Sequence, residues 1–220
     1  MLIDFRTLFP KYGITPKGVI QVGAHWAEEH DIYVEMGVQK IVYIEPCMEA
    51  FNKMLTKFGG LGQPDKEYGQ VNIDGITLFR VACGVVESKM TMQISHNNQG
   101  QSNSLLAPKL HLQQHPEVVF TDTEIVNVAP LDNLPFDRSD YNVLVIDTQG
   151  FDGIVLKGAK NLLKGIDLIY TEINRDETYE GNMLIGEIDE FLKPYGFERT
   201  ETYWPSHNWS WGDCCFVKIK

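Results

Sequence analysis

The stretch from Gly18 to Pro46, which reads GVIQVGAHWAEEHDIYVEMGVQKIVYIEP, predicts a complete strand–turn–helix–strand unit. A short apolar strand over residues 19–22 enters a tight turn at Gly23, and a second apolar strand over residues 40–44 ends at the carboxylate of Glu45. Apolar side chains recur at helical spacing between the two strands. Because such a unit joins two parallel strands through a helix, it favours an α/β fold.

The chemistry of the turn separates two kinds of adenosine cofactor. A dinucleotide fold needs the pattern G-x-G-x-x-G so that backbone amides can approach a pyrophosphate. Here the turn reads GAHWAE from Gly23, with one glycine followed by bulky and acidic residues. S-adenosylmethionine has no phosphate, and its ribose diol needs only the acid at the second strand end, so it fits this turn better than NAD. The alternative interpretation is an ordinary α/β turn and a solvated strand-end acid.

Length and charge restrict the possible partners. With 220 residues, of which 43% are hydrophobic, the chain predicts one α/β domain over residues 1–220. Its net charge of -11 argues against a nucleic-acid partner, which would require clustered lysine and arginine. The four cysteines form no C-x-x-C pair, and the chain shows neither a signal-peptide pattern nor an apolar run of about 18 residues. We expect a cytoplasmic protein with reduced thiols and no membrane insertion; its oligomeric state is left open.

Strands and helices alternate along the rest of the chain. Residues 1–17 predict a helical segment, centred on residues 3–9, that packs near the cofactor cleft. Strands are predicted over residues 76–82, 124–128, 143–146, 168–173, 197–203 and 213–219. Helices are predicted over residues 48–58, 152–164 and 183–192, and between the first two strands from the spacing of Trp26, Ile32, Tyr33 and Met36 ahead of Gly37. Residues 59–75 and 96–108 read as loops. The expected fold is a doubly wound, mostly parallel sheet with a last antiparallel strand and a small added hairpin around Met90, Met92 and Ile94.

Several polar or small residues lie at or just beyond the ends of the predicted strands. They are Gly23, Glu45, Ala82 with Cys83, Asp147 and Glu172. Because ligands of open α/β sheets bind at the carboxyl ends of the strands, we expect these residues at one edge. An antiparallel last strand would bring the loop over residues 205–212 to the same edge, with His207, Trp209 and Trp211 lining the cleft.

Three blocks of the sequence resemble the FkbM-type methyltransferases. They are VIQVGAHWAEE at 19–29 with YIEP at 43–46, VACG at 81–84 with QSNSLL at 101–106, and LDNL at 131–134 followed by VLVIDTQGFDGIVLKGAKNLL at 143–163. The resemblance spans about residues 19–200. It implies a class I methyltransferase Rossmann-like fold, S-adenosylmethionine as cofactor, and methyl transfer to oxygen. The chain departs from the pattern at Gln21, where class I methyltransferases often carry an acid, and at Asp152, which replaces the more usual Glu.

The resemblance and the strand ends together suggest a set of cofactor contacts. Glu45 is expected on the ribose diol, the turn at Gly23 on the methionine part, and Ala82 with Cys83 beside the adenine. The full predicted cofactor set is Gly23, Ala24, His25, Trp26, Glu45, Pro46, Ala82, Cys83, Ser102, Asp147, Thr148 and Gln149. Each has an ordinary structural alternative, such as a turn, a core thiol, or a helix cap for Asp147.

Transfer to a hydroxyl requires a group that removes the acceptor proton. The side-chain candidates are Asp147, Glu172, His25 and His207, with His96 as a further histidine. Alternatively Asp147, Asp152 and Glu172 form an oxygen-rich site for Mg²⁺, although Asp152 is equally placed as an acid at a helix N-terminus.

The sequence thus predicts an S-adenosylmethionine-dependent O-methyltransferase acting on a sugar or glycan hydroxyl, for example on a deoxyhexose such as rhamnose. A non-catalytic binding module and a methyltransferase for a small non-sugar hydroxyl are the alternatives. A nicotinamide-dependent reductase is disfavoured, because no tyrosine is followed four residues later by lysine.

Overall fold

A mostly parallel eight-stranded sheet organises the computed structural model, which describes residues 2–60 and 64–219. The strands are β1 Gly18–Val22, β2 Lys40–Ile44, β3 Val71–Ile73, β4 Ile76–Phe79, β5 Ala82–Cys83, β6 Ser88–Ile94, β7 Asp122–Ala129, β8 Val143–Ile146, β9 Leu168–Asn174, β10 Phe197–Tyr203 and β11 Trp211–Lys218. The large sheet has the order β10-β11-β9-β8-β1-β2-β4-β3. Strands β4, β2, β1, β8 and β9 are parallel, and β11 runs antiparallel to β9, as predicted for the last strand.

Helices cover both faces of this sheet. They are α1 Phe5–Lys11, α2 His30–Glu35, α3 Met48–Lys57, α4 His111–Gln114, α5 Asp152–Lys157 and α6 Ile185–Leu192, with short 3₁₀ turns at His96–Asn98, Leu131–Asn133, Arg138–Asp140, Leu162–Lys164 and Lys193–Tyr195. Phe5, Tyr33 and Phe51 from the first three helices share one buried cluster, whereas Val155 and Ile188 from α5 and α6 belong to a second. The predicted doubly wound architecture is therefore confirmed.

The strand register places the carboxyl ends of β1, β2 and β8 at one edge of the sheet. In the middle of the sheet every residue of β1 and β8 is buried, as expected for strands covered on both faces. Val22 pairs with both Ile44 and Ile146, so these three strands end at the same level. The residues that follow, Gly23, Glu45 and Asp147, consequently lie side by side.

A second sheet of three strands, in the order β5-β7-β6, adds the hairpin that the sequence predicts. It also corrects one predicted strand. Residues 76–82 do not form a single strand, because β4 ends at Phe79 and Ala82–Cys83 leaves to pair with Val128 and Ala129 of β7. β7, the strand with which Ala82–Cys83 pairs, lies far along the chain, so a local sequence pattern could not predict this pairing.

Other boundaries differ for local reasons. Residues 24–29 form turns rather than helix, since His25 and Ala27 have positive φ angles of 48° and 55°, and α2 begins only at His30. β3 lies inside the stretch 59–75 that was predicted to be a loop; residues 61–63 of that stretch are outside the described part of the chain. Among residues 2–60 and 64–219, no helix has the length and apolar character needed to cross a membrane.

Helix α5 is shorter than predicted, because the chain turns at Gly158 where two backbone segments touch. A Cβ atom on Gly158 would lie 1.9 Å from the carbonyl oxygen of Gly84. We expect Gly158→Ala to lower the free energy of unfolding by at least about 3 kcal/mol, measured by urea denaturation, because backbone cannot yield as a side chain can.

Gly165→Ala is the matched control for this substitution. Its added Cβ would meet only the Leu162 carbonyl oxygen, at 3.7 Å, so its stability should stay within about 0.5 kcal/mol of the parent. Equal denaturation midpoints for the two variants would contradict the close-packing argument.

Candidate functional site

A cavity of about 580 Å³ opens at the carboxyl edge of the parallel strands. It is lined by most of the residues that were predicted to contact the cofactor or to take part in the reaction. They are Gly23, Ala24, His25, Glu45, Pro46, Ala82, Cys83, Ser102, Asp147, Thr148, Gln149 and Glu172. The fold thus gathers into one cavity residues that are spread over 150 positions of the sequence (172 − 23 + 1).

The turn after β1 is compressed against the end of β8. Gly23 has φ 76°, and a Cβ at this position would lie 1.8 Å from the carbonyl oxygen of Asp147. The amides of Gly23 and Ala24 both donate to the carbonyl oxygen of Ile44, at 2.9 and 3.1 Å. Glycine is therefore required here by a neighbouring strand as well as by the turn.

Glu45 is a buried carboxylate held at the end of β2. Its Oε2 accepts a hydrogen bond from the His25 amide and its Oε1 from the Cys47 amide, both at 2.9 Å. Burial raises the pKa of Glu45 to about 7, although the two amide hydrogen bonds favour the ionised form. The carboxyl group is thus rigidly placed and poorly solvated.

An apolar wall stands beside Glu45. Ala82, Cys83, Met92 and Leu105 line this side of the cavity. Burial raises the pKa of the Cys83 thiol well above its usual range, so the sulfur is a neutral wall atom and not a nucleophile. The wall suits a flat, uncharged ring.

His25 ties the β1 turn to the loop that follows β6. Its Nδ1 lies 2.5 Å from Glu28 Oε1 and its Nε2 lies 2.9 Å from the Gln99 carbonyl oxygen. Burial alone would lower the pKa of the imidazole, but the bonds to Glu28 and Gln99 raise it above its ordinary value. Because a carboxylate and a carbonyl oxygen are acceptors, these contacts favour the doubly protonated imidazole. Both ring nitrogens are engaged in them, so His25 is poorly placed to accept a substrate proton.

Trp26 does not line this cavity, contrary to expectation. Its indole is stacked on the His25 ring, with centroids 4.4 Å apart, and Lys53 Nζ lies 4.0 Å from the ring centroid. Trp26 instead lines a neighbouring cavity of about 620 Å³ that also includes His96. Because residues 24–29 form turns instead of a helix, the indole is directed away from the strand ends.

Asp147 and Glu172 form a buried pair bridged by one amide. Gln149 Nε2 donates to Asp147 Oδ1 at 2.9 Å and to Glu172 Oε2 at 2.8 Å. Gln149 Oε1 accepts a hydrogen bond from the Tyr179 hydroxyl at 3.0 Å, and its backbone has a positive φ of 53°. The network keeps two carboxyl groups facing one space.

Burial and mutual repulsion decide the charge of this pair. Burial, followed by the charges of Asp213 and Asp152, raises the pKa of Asp147 to about 7. Burial and then the charge of Asp147 raise the pKa of Glu172 well above its usual range. Each of the two carboxyl groups therefore keeps its proton to a higher pH than an isolated acid would.

The charged side chains of the lining are mostly acidic. Seven carboxyl groups line the cavity, and the described lining contains no lysine or arginine. The seven are Glu28, Glu29, Glu45, Glu117, Asp147, Glu172 and Asp213. Such a cavity favours cationic or neutral ligands and disfavours phosphates.

Gln21 holds one of these acids in place. Gln21 Nε2 donates to Glu29 Oε2 at 2.9 Å, and Gln21 Oε1 accepts from the Tyr33 hydroxyl at 3.0 Å. A carboxylate, that of Glu29, therefore lies at the cavity wall beside the Gln21 side chain.

Asp152 is the first residue of α5 and does not line the cavity. Its Oδ1 accepts from the Thr148 amide at 3.0 Å and its Oδ2 from the Gly150 amide at 3.1 Å. Within residues 2–60 and 64–219, no group of three His, Cys, Asp or Glu side chains is arranged to hold a metal ion. The predicted Mg²⁺ site at Asp147, Asp152 and Glu172 is thus not formed, since backbone amides occupy both oxygens of Asp152.

Two other base candidates lie away from the cavity. His207 is exposed in the loop before β11, where its carbonyl oxygen accepts from Arg175 at 2.5 Å. His96 is 54% exposed in its side chain and lies 3.6 Å from Asp122. Of the tryptophans in the C-terminal segment, Trp211 lines the cavity, whereas Trp204 and Trp209 do not.

The cavity is also lined by His111, His115 and Tyr179, which the sequence patterns did not identify. His111 is buried, and burial lowers its pKa to about 4. Its Nε2 lies 3.2 Å from Ser102 Oγ, while its Nδ1 has no hydrogen-bond partner. The i, i+4 spacing of the two histidines was an available signal, because it places both on one side of a helix.

The sequence of this chain is similar to known methyltransferases. The family model described as methyltransferase FkbM domain matches residues 21–199. The 2-O-methyltransferase NoeI of Sinorhizobium fredii (strain NBRC 101917 / NGR234) is 28% identical over 131 residues, covering 56% of this chain and 54% of that protein. This chain therefore spans about half the length of the curated relative it matches.

Two solved structures share the fold. The crystal structure of methyltransferase FkbM from Methylobacillus flagellatus KT superposes with a TM-score of 0.56 at 12% identity, covering 91% of this chain and 43% of that chain. A structure from Listeria monocytogenes, described as an S-adenosylmethionine dependent methyltransferase, superposes with a TM-score of 0.54 at 10% identity. It covers 100% of this chain and 95% of that chain. At these identities the likeness shows the class I methyltransferase fold.

Proposed function

The chain belongs to the FkbM methyltransferase family, and on this premise we propose that it is an S-adenosylmethionine-dependent O-methyltransferase acting on a sugar or glycan hydroxyl. The observation that carries the proposal is one cavity with two ends. Glu45 and the apolar wall of Ala82 and Cys83 form one end, and the bridged pair Asp147 and Glu172 forms the other.

The first end suits the cofactor. Glu45, held by two amides, would accept hydrogen bonds from the ribose diol, and the apolar wall would border the adenine. Glu29, held by Gln21, would lie near the methionine ammonium. When bound, the cofactor supplies a methyl group on a cationic sulfur, and a lining of seven carboxyl groups favours such a cation.

The second end suits proton removal. The ionised member of the Asp147 and Glu172 pair would accept the proton of the acceptor hydroxyl as the oxygen–methyl bond forms and the sulfur–methyl bond breaks. Gln149 keeps both carboxyl groups oriented, and this positioning matters because an in-line transfer depends on alignment. Both leaving electrons stay on sulfur, so no oxidant is required.

A sugar acceptor is supported by charge and by similarity. The described lining lacks lysine and arginine, which a phosphorylated acceptor would require, and the net charge of -11 disfavours nucleic acid. The curated relative is a 2-O-methyltransferase, which is consistent with methylation of a hydroxyl. A small non-sugar hydroxyl compound is the alternative acceptor.

Calorimetry and turnover test the proposal together. We expect S-adenosylmethionine and S-adenosylhomocysteine to bind the intact protein, and labelled methyl groups to appear on one or more neutral glycosides in a panel. Absence of binding would overturn the cofactor assignment. Binding without transfer to any hydroxyl acceptor would instead indicate a non-catalytic module.

The buried acids also predict a pH signature. The pKa of Glu45 rises from 4.5 to about 7 on folding. The folded state therefore keeps a proton that the unfolded state loses, and the free energy of unfolding falls as pH rises from 4.5 to about 7. For Glu45 this loss is about 3 kcal/mol, and Asp147 acts in the same direction.

Binding of a cationic ligand should offset this loss of stability at high pH. We expect saturating S-adenosylmethionine to raise the Tm more than S-adenosylhomocysteine does, and the excess to be larger near pH 8 than near pH 6. The reason is that ionised carboxyl groups attract the sulfonium, whereas protonated ones do not. A difference between the two ligands that does not change with pH would contradict the assignment.

A further inference from the structure

One face of the acceptor end is an aromatic wall. Trp211, His115, His111 and Tyr179 line it, and the His111 ring lies 5.1 Å from the His115 ring and 5.2 Å from the Tyr179 ring between centroids. Aromatic faces bind the apolar face of a ring of C–H groups, whereas carboxyl groups bind its hydroxyls. This wall stands next to the carboxyl groups of Glu172 and Asp213.

The orientation of the Trp211 indole is fixed. Its Nε1 donates to His115 Nε2 at 3.0 Å. Trp209 stacks on the indole with an interplanar angle of 14° and centroids 5.5 Å apart, and the indole lines the cavity. Arg175 holds the loop behind by donating to the carbonyl oxygens of His207 and Trp209, both at 2.5 Å.

Strand pairing sets the distance from Trp211 to the carboxyl pair. Asp213 pairs with Glu172, and Trp211 pairs with Asn174, in the antiparallel ladder of β11 and β9. Trp211 and Asp213 are two residues apart on one strand, so both side chains lie on the face of the sheet that carries Glu172. Diagonal neighbours of this kind are about 7–8 Å apart. The indole of Trp211 and the carboxyl group of Glu172 therefore border the same part of the cavity.

A polar atom without a partner lies in the same wall. His111 is 4% exposed, and its Nδ1 has no hydrogen-bond partner, although Nε2 lies 3.2 Å from Ser102 Oγ. Buried polar atoms are normally paired, so His111 Nδ1 is a polar position of this wall that no described residue satisfies.

We propose that Trp211, held by His115, is the platform on which the ring of the acceptor lies, and that this subsite takes an uncharged pyranose and rejects phosphorylated or carboxylated sugars. The inference rests on the proposed function, which it deepens by placing the acceptor. Its charge selectivity follows from Glu117, Asp147, Glu172 and Asp213 at this end and from the lack of lysine and arginine in the described lining.

Saturation-transfer NMR tests this without turnover. The protein is saturated with S-adenosylhomocysteine and titrated with methyl α-L-rhamnopyranoside and methyl β-D-glucopyranoside, then with glucose 6-phosphate and methyl glucuronide. We expect signals from the ring C–H groups of the neutral glycosides only. Equal or tighter binding of the charged sugars would overturn the proposal, as would failure of both neutral glycosides to bind the loaded protein.

Substitutions identify the platform. Trp211→Ala should weaken glycoside binding by about tenfold or more, because an aromatic contact is lost, while the Kd for S-adenosylhomocysteine stays unchanged. His115→Phe keeps the packing but removes the acceptor for the indole N–H, and it should weaken glycoside binding without affecting the cofactor. Trp204→Phe is the control, because Trp204 lies outside the cavity beneath Arg175.

The outcomes separate the two proposals. If S-adenosylhomocysteine fails to bind the unmodified protein, the proposed function fails. If it binds and Trp211→Ala leaves glycoside binding intact, only the platform fails. Trp211→Tyr, which retains a ring at the position, should bind glycoside more tightly than Trp211→Ala; equal weakening would contradict a stacking role.

Discussion

Asp147→Asn and Glu172→Gln should each lower the kcat of methyl transfer by about 10²–10⁴, because each removes part of the pair that accepts the hydroxyl proton. Both amides nearly match the shape of the acids they replace. Since the buried pair is held together against mutual repulsion, loss of one acid should leave the free energy of unfolding equal or higher. Urea denaturation and labelled methyl transfer to a neutral glycoside measure the two effects.

A loss of activity combined with retained or increased stability distinguishes a catalytic acid from a structural one. The pKa of Asp147 lies at about 7, so kcat/KM for the parent should rise with pH through that region as the pair gains the carboxylate that accepts the hydroxyl proton. We expect Asp147→Asn to abolish this rise. A variant that keeps the parental profile and a kcat within about threefold would remove the pair from the mechanism.

Asp140→Asn is the matched control. Asp140 pairs with Lys40 at 2.5 Å, beside the first residues of β1 and β2, at the opposite edge of the sheet from the cavity. It should leave both kcat and the pH profile unchanged, since it removes one acid without touching the cavity.

Substitution of Glu45 should have the second largest effect, on cofactor affinity. Each hydrogen bond to a charged group contributes about 1.5–3 kcal/mol, and a ribose diol offers two donors. We expect Glu45→Gln to weaken S-adenosylhomocysteine binding by about tenfold and Glu45→Ala by about 10²-fold or more, measured by calorimetry. The larger loss in Glu45→Ala includes the cost of leaving the His25 and Cys47 amides without an acceptor.

Glu124→Gln is a close control for Glu45. Glu124 accepts from the Met48 amide at 3.1 Å, at the start of the helix that follows Glu45, but it lines the neighbouring cavity and not the site. Its substitution should leave the Kd unchanged. Unaltered affinity in both Glu45 variants would show that the ribose lies elsewhere.

Local patterns were sufficient for the frame of the site. The predicted strand over residues 40–44 matches β2, and the strand over residues 143–146 matches β8. Short β-branched runs form buried strands with little dependence on context when both faces are covered. The placement of Gly23, Glu45 and Asp147 at one edge followed, because parallel strands must end at the same side.

Local patterns failed where partners lie far apart or the backbone is unusual. Asp152 was expected either at a metal or as an acid at a helix N-terminus, and its oxygens accept from the amides of Thr148 and Gly150 in the turn that leads into α5. His25 was expected to act as a base, but its two acceptor partners, Glu28 and Gln99, come from separate loops. No periodic pattern encodes such contacts.

By itself, then, the sequence determined the α/β frame and the acids at its strand ends, since hydrophobic periodicity is a local property of the chain. Only the tertiary structure decided the roles around them. Where a metal site was predicted, Gln149 bridges the carboxyl groups of Asp147 and Glu172. His111, His115 and Tyr179 also line the cavity. The physical reason is that hydrogen-bond partners and buried charges depend on distances in space, and these distances are set by packing between segments remote in sequence.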